Sequence, residues 1–167
     1  MEMQFLPRSV LKISTLALAI AAASFTTSTV MAAECELNDA TNTTNILNAT
    51  SNGDTALACG NMATAGGTND TVAIGNMANA GLNSATAVGG QANAAGLGST
   101  SIGWQSKATA ERAQAFGHLA NASGVRSTAV GEAATAGGTN DTVAVGNMAN
   151  AGMNSATAVG GQANAAG

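Results

Sequence analysis

The chain has 167 residues and a formal net charge of −4, with only 8% charged and 2% aromatic residues. An acidic chain of this kind argues against electrostatic binding to nucleic acid, which requires a concentrated positive surface. One histidine and two cysteines do not supply the convergent acid, base and nucleophile of an enzyme or the ligand cluster of a metal site. We therefore predict no catalysis, no metal and no cofactor.

The N-terminal segment predicts export. Arg8 and Lys12 give a positive start, and residues 13–23 form an apolar run shorter than the roughly 20 residues that span a bilayer. Small residues at positions −3 and −1, Val30 and Ala32, then mark a cleavage site after Ala32, so we predict a signal peptide at 1–32. The remaining chain has three bases and eight acids, a net charge of −5. We expect no membrane contact from that remainder itself.

Residues 33–54 predict an irregular lead-in, or an imperfect coil that caps the repeats following it. This segment contains Cys35, and Cys59 lies just beyond it. Export permits a disulfide between these two cysteines. Alternatively, Cys59 simply occupies an aliphatic column as a small hydrophobic residue. Both interpretations stay open at this point.

Residues 55–167 repeat a unit of 14 or 15 residues, marked by a glycine that follows an aliphatic residue. Each marker glycine predicts a turn: Gly60, Gly75, Gly89, Gly103, Gly117, Gly131, Gly146 and Gly160. The preceding column and the alanine five residues after the marker predict the core of a stacked solenoid. These core columns are Ile74, Val88, Ile102, Phe116, Val130, Val145, Val159, and Ala65, Ala80, Ala94, Ala108, Ala122, Ala136, Ala151, Ala165.

The residues around each marker predict two short strands per coil. In one copy, residues 71–74 form the first strand and 77–80 the return strand. Valine, isoleucine and threonine before the marker, with frequent glycine, argue against a helix. The fold class is therefore all-β, a solenoid of 14–15-residue coils. Because large apolar residues are scarce, we expect coils from several chains to share a core.

A longer repeat lies on top of the short one. Residues 64–96 return as 135–167, and only the pairs Ile74/Val145 and Leu82/Met153 differ. The offset corresponds to five whole coils. Such a duplication is tolerated when each coil contacts only its neighbours.

The coils between the two copies carry unusual side chains. Aromatic and arginine residues are favoured contact anchors, so a binding patch is one interpretation: Trp104, Lys107, Arg112, His118 and Arg126. In the other interpretation these charges form a solvated face, Phe116 is core and His118 is a solvent-facing turn residue. The repeated edge rich in Asn, Thr and Gln is a further possible binding surface.

The repeat resembles a known family. Residues 70–80 read Asp-Thr-Val-Ala-Ile-Gly-Asn-Met-Ala-Asn-Ala, similar to the Asn-Ser-Val-Ala-Ile-Gly-x-x-Ser/Ala-x-Ala unit of YadA-type heads in trimeric autotransporter adhesins. The resemblance implies a left-handed parallel β-roll assembled as a homotrimer at the bacterial surface or outer membrane. It also implies attachment to extracellular-matrix proteins such as collagen, to host-cell receptors, or self-association.

Two departures from the family pattern affect these expectations. The usual Asn-Ser opening is Asp-Thr here, so no specific ligand is carried over. The sequence stops at Gly167 within a coil, and we expect a fragment of a longer adhesin or a truncated, secreted product. A structural spacer in a surface fibre is the main alternative. An ice-binding solenoid is disfavoured, because the column three residues before the marker is not regularly threonine.

Overall fold

The structure is a computed structural model that describes residues 34–35 and 48–166. The predicted signal peptide at 1–32 lies outside the described residues. Those residues form eighteen short strands and contain no helix. Accordingly, the described segments include no helix of the length and hydropathy needed to cross a membrane.

The strands alternate between two parallel sheets. The first sheet contains β1 (Glu34–Cys35), β3 (Leu57–Cys59), β5 (Val72–Ile74), β7 (Thr86–Val88), β9 (Thr100–Ile102), β11 (Gln114–Phe116), β13 (Thr128–Val130), β15 (Val143–Val145) and β17 (Thr157–Val159). The second contains β2 (Thr50–Ser51), β4 (Thr64–Ala65), β6 (Asn79–Ala80), β8 (Asn93–Ala94), β10 (Lys107–Ala108), β12 (Asn121–Ala122), β14 (Thr135–Ala136), β16 (Asn150–Ala151) and β18 (Asn164–Ala165). The predicted all-β solenoid is confirmed.

Strand register places equivalent repeat positions directly above one another. Phe116, for example, pairs with Ile102 on one side and Val130 on the other. The strands have three and two residues rather than the four or so expected in each. They are shorter because two tight corners take up most of each coil.

The marker glycine opens the first corner of each coil. Gly75 has φ of 130°, and an added Cβ would lie 2.6 Å from the carbonyl oxygen of Gly89 in the next coil. The amide of Ala78 closes the turn by donating to the carbonyl of Gly75 at 3.2 Å. Met77, the third residue of this turn, also has positive φ, at 55°. Glycine is thus required here both by conformation and by the close approach of the next coil.

Small side chains fill the interior between the two sheets. The alanine column five residues after the marker is fully buried from Ala65 to Ala151, whereas Ala165 is partly buried. Three further buried columns, none of them among the predicted core columns, lie four and two residues before the marker and three residues after it. These additional columns include Ala58, Ala73, Ala87, Ser101, Ala115, Ala129, Ala144, Thr71, Ala85, Ser99, Ala113, Ser127, Thr142, Ala63, Ala78, Ala92, Ser106, Ala120, Ala134 and Ala149. The coil interior is almost entirely alanine, serine and threonine.

The aliphatic column lies outside this interior, so its assignment to the core is wrong for the single chain. Side chains alternate between the faces of a strand, and because Ala73 is interior, Ile74 faces outward. Exposure is 37% for Ile74, 39% for Ile102 and 68% for Val159. We call this column the aliphatic stripe: Cys59, Ile74, Val88, Ile102, Phe116, Val130, Val145 and Val159.

The lead-in extends both sheets. β1 pairs with β3 in the first sheet, and β2 pairs with β4 in the second. Cys35 and Cys59 are opposite each other in register. Cys59 is disulfide-bonded, and Cys35 is the only other cysteine in the sequence. Cys59 also occupies the first position of the aliphatic stripe, so the two interpretations of this residue are compatible.

Candidate functional site

The chemically distinctive residues are confined to the coils between the two duplicated blocks. We call residues 97–134 the central coils. Within 55–167, these coils contain every base, the single histidine, both aromatic residues and both glutamates. Outside them, the only charged residues in that range are Asp70 and Asp141, which occupy equivalent positions in the two blocks. Any recognition that requires aromatic or basic groups from this region must therefore use the central coils.

The first corner of each coil places one side chain on a common edge. We call the column directly after the marker glycines the first-corner ladder: Asn61, Asn76, Gly90, Trp104, His118, Glu132, Asn147 and Gly161. Its central members contact one another in sequence. The Trp104 and His118 rings stack with centroids 4.9 Å apart and an interplanar angle of 29°.

The stack continues into a polar support. His118 Nδ1 lies 3.5 Å from Glu132 Oε1, and Asn147 Nδ2 donates to Glu132 Oε2 at 3.2 Å. Four successive coils thus hold one connected series of side chains. Trp104 at its N-terminal end is 48% exposed. A large aromatic group that is partly exposed to solvent and stacked on a neighbouring ring has the properties of a contact anchor.

The second corner carries the arginines. Arg126 makes a bidentate pair with Asp141, with Nε–Oδ1 at 2.7 Å and a terminal nitrogen to Oδ2 at 2.8 Å. This hydrogen bond lowers the pKa of the Asp141 carboxyl and raises the pKa of Arg126. Arg112 lies 3.4 Å from the neighbouring Glu111. Both arginines have positive φ, at 57° and 54°.

The predicted patch is therefore divided between three places. Trp104 and His118 share the first corner, and Arg112 and Arg126 lie at the second corner. Lys107 projects from β10 on the outer face of the second sheet, where its register partners are asparagines in β8 and β12. The structure brings together only the aromatic pair. It adds Glu132 and Asn147, which sequence analysis missed. Their spacing was a usable signal, because Glu132 lies one coil from His118 and Asn147 one coil from Glu132.

The two outer faces of the solenoid differ in chemistry. The second sheet presents mainly asparagine and threonine, and Asn79 Nδ2 donates to Asn93 Oδ1 at 2.9 Å along that column. The first sheet presents the aliphatic stripe. No charged residue occupies the stripe or the column two residues before it. The outer face of the second sheet is thus polar, whereas that of the first sheet is uncharged and carries the aliphatic stripe along the length of the repeats.

Among the described residues, no three His, Cys, Asp or Glu side chains converge as metal ligands. The corner Gly66–Asp70 of the longer coil is instead held by protein contacts. The carbonyl oxygen of the Asn83 side chain accepts from the amide of Thr68 at 2.8 Å. Asn154 has the same role in the second block, where its side-chain oxygen accepts from the backbone amide of Asn140 at 3.0 Å. An asparagine side chain from the next coil thus caps the corner of each longer coil.

The fold and its surfaces define a repeat protein of the parallel β-solenoid class. Residues 83–106, 94–120 and 122–147 each match a family model whose description is 'YadA head domain repeat (2 copies)'. Residues 83–147 therefore match a YadA-like head repeat region, the type of repeat found in trimeric autotransporter adhesins. A comparison with curated proteins finds no match.

Proposed function

We propose that this chain is the adhesive head of a bacterial surface fibre, which attaches to extracellular-matrix proteins such as collagen, to host-cell receptors, or to further copies of itself. The observation that carries the proposal is the YadA-like head repeat at residues 83–147. The chain is exported through the predicted signal peptide at 1–32. It lies at the cell surface or outer membrane when it is joined to an anchor, and is otherwise secreted.

The assembled form in this proposal is a homotrimer with a shared core along the aliphatic stripe. Four members of the stripe, including Val130, are 36–68% exposed in the single chain, whereas a monomer rarely exposes a long continuous apolar surface. Identical copies of the chain present the same stripe at the same coil spacing. Burying it between copies offsets the scarcity of large apolar groups inside each coil.

Light scattering of the full chain over a dilution series tests this assembly. Val130→Asp places a charge in the middle of the stripe, and we expect it to dissociate the trimer. Asn121→Asp adds the same charge on the outer face of the second sheet and should leave the mass unchanged. A wild-type chain that stays monomeric and folded at every concentration would refute the trimer.

Adhesion is tested with beads coated with the full chain, added to immobilised collagen and to cultured host cells. Deleting residues 64–134 removes five coils and rejoins equivalent positions of the repeat. We expect adhesion to be lost, because the central coils are lost. Adhesion should still be lost when the shorter chain is presented at the same height above the bead as the full chain.

The alternative function is a structural spacer within a surface fibre. It is favoured by one observation, the near-identity of residues 64–96 and 135–167, since duplicated coils lengthen a rod without adding chemistry. Under this alternative the chain has no ligand site of its own, so beads coated with the full chain or with the shortened chain should adhere no better than uncoated beads.

A further inference from the structure

The first-corner ladder has a vacant position beside its tryptophan. Gly90 has no side chain, so the positions filled around it are Asn76 and Trp104, two coils apart. Adjacent parallel strands lie about 4.8 Å apart, which puts these two levels roughly 9.6 Å apart. A ring stacked on the indole requires about 3.5–4 Å on each side. The spacing of the two levels is therefore compatible with one ring stacked on the indole.

The indole is held open toward this vacancy. A Cβ added to Gly90 would lie 3.2 Å from Trp104 Cδ1 and 3.7 Å from its Nε1, so the pyrrole edge of the indole borders the vacant position. His118 stacks on Trp104 from the next coil, and Glu132 pairs with that histidine. The tryptophan is thus fixed from the C-terminal side, which lowers the entropic cost of stacking a ligand on it.

The neighbouring column supplies uncharged hydrogen-bonding groups. Gln91 and Gln105 directly follow Gly90 and Trp104, and Gln105 Nε2 donates to Gln91 Oε1 at 2.9 Å. This bond uses one donor and one acceptor of the pair, and each amide has further capacity for both roles. His118 and Glu132 contact each other on the C-terminal side of the indole. The vacancy is bordered by an apolar ring and neutral amides.

We propose that the vacancy at Gly90 is a glycan subsite, in which a neutral hexopyranose stacks on Trp104 and its hydroxyls bind Gln91 and Gln105. A pyranose ring has an apolar face of C–H groups and an edge of hydroxyls, which fits the two kinds of group found here. An aromatic side chain of a protein would fill the space but would offer no hydrogen bonds to the two amides. The inference rests on the proposed adhesive function and names its ligand class and site.

Trp104 is the only tryptophan in the sequence, so its fluorescence reports on this site alone. The full, assembled chain is titrated separately with maltotriose, triacetylchitotriose and lactose. We expect a saturable change in emission with at least one of the three. Acrylamide should quench Trp104 in the assembled chain and quench it less when the saccharide is bound, because the indole is exposed before binding and covered after it.

The matched variants are Gly90→Asn and Gly161→Asn. Asparagine occupies the same ladder position at Asn76, and Gly90 does not have the left-handed φ of the marker glycines. The added Cβ would lie 3.2 Å from Trp104 Cδ1, a contact that a small shift of the half-exposed ring relieves, so Gly90→Asn should fold. Its side chain fills the vacancy and should weaken saccharide binding about tenfold, the effect of losing a good stacking contact. Gly161 is the equivalent glycine of the second block, and its substitution should leave binding unchanged.

Several results would overturn the inference. These are no response to any of the three saccharides, equal affinity in Gly90→Asn and the wild type, or an indole inaccessible to acrylamide after assembly. A response only to aromatic or proline-rich peptides would assign the site to a protein partner and likewise refute it. Bead adhesion that persists without any saccharide response refutes this inference alone, whereas saccharide binding without adhesion refutes the adhesive function instead.

Discussion

Replacing one marker glycine in the centre of the solenoid should strongly destabilise the fold. Gly103 has φ of 131°, which costs a residue with a side chain about 1–3 kcal/mol. In Gly103→Ala, the new Cβ would also lie 2.4 Å from the carbonyl oxygen of Gly117. The coils must separate locally, which weakens the 2.8 Å bond from Gly117 N to Ile102 O, worth about 1 kcal/mol. We expect a total loss of about 2–4 kcal/mol.

Urea unfolding of the full chain, followed by far-ultraviolet circular dichroism, measures this loss. Fluorescence is unsuitable, because Trp104 is adjacent to the substituted residue. Gly161→Ala is the control, since no atom lies within 4 Å of its added Cβ and its φ is outside the left-handed range. All chains are compared at one concentration, because assembly contributes to stability. If Gly103→Ala and the control unfold at the same urea concentration, the proposed role of the marker glycine is wrong.

Three further perturbations address the interior, the second corner and the lead-in. Ala108→Val overfills the alanine column and should cost at least about 1–3 kcal/mol in the same urea assay, while Lys107→Val in the same strand should not. The pKa of Asp141 is lowered in the folded chain, so its pair with Arg126 stabilises the fold above the unfolded carboxyl pKa, and this contribution is lost as pH falls through the folded pKa. In an NMR titration, Arg126→Gln should raise the Asp141 pKa toward its ordinary value, whereas Lys107→Gln should leave it unchanged. Cys35→Ser removes the only available disulfide partner and should lower the free energy of unfolding by about 3 kcal/mol; unchanged stability would contradict the bond.

The periodicity of the sequence was sufficient to predict the fold. The spacing of the marker glycines gives the coil length, and threonine, valine and isoleucine before them indicate strands, as the two parallel sheets confirm. The location of the core was harder to predict. Apolarity suggested that Ile74 is interior, yet the coil is so narrow that only residues such as Ala73 fit between the sheets. Side-chain size, rather than hydrophobicity, decides which face of these strands is buried.

Which surface residues lie together depends on how each coil turns, and composition does not show this. Trp104 and His118 lie at a different corner from Arg112 and Arg126. All four are close in the sequence, so the sequence alone suggested one patch. Each coil turns twice, and residues six to nine positions apart therefore lie at different corners. Residues one coil apart are neighbours instead, as the pairing of His118 with Glu132 illustrates.

The alanine interior also explains how one short region can acquire its own chemistry. Because the coils pack through small residues at fixed positions, the ladder position after each marker glycine is free to hold asparagine, glycine, tryptophan, histidine or glutamate. Substitution there changes the surface without repacking a core. Residues 64–96 and 135–167 keep nearly the same surface in two places, whereas the central coils between them have diverged in charge and aromatic content. A scaffold that fixes only the marker glycine and the backbone conformation at its first corner can specialise one coil at a time at the ladder position, and the supported indole beside Gly90 is an example.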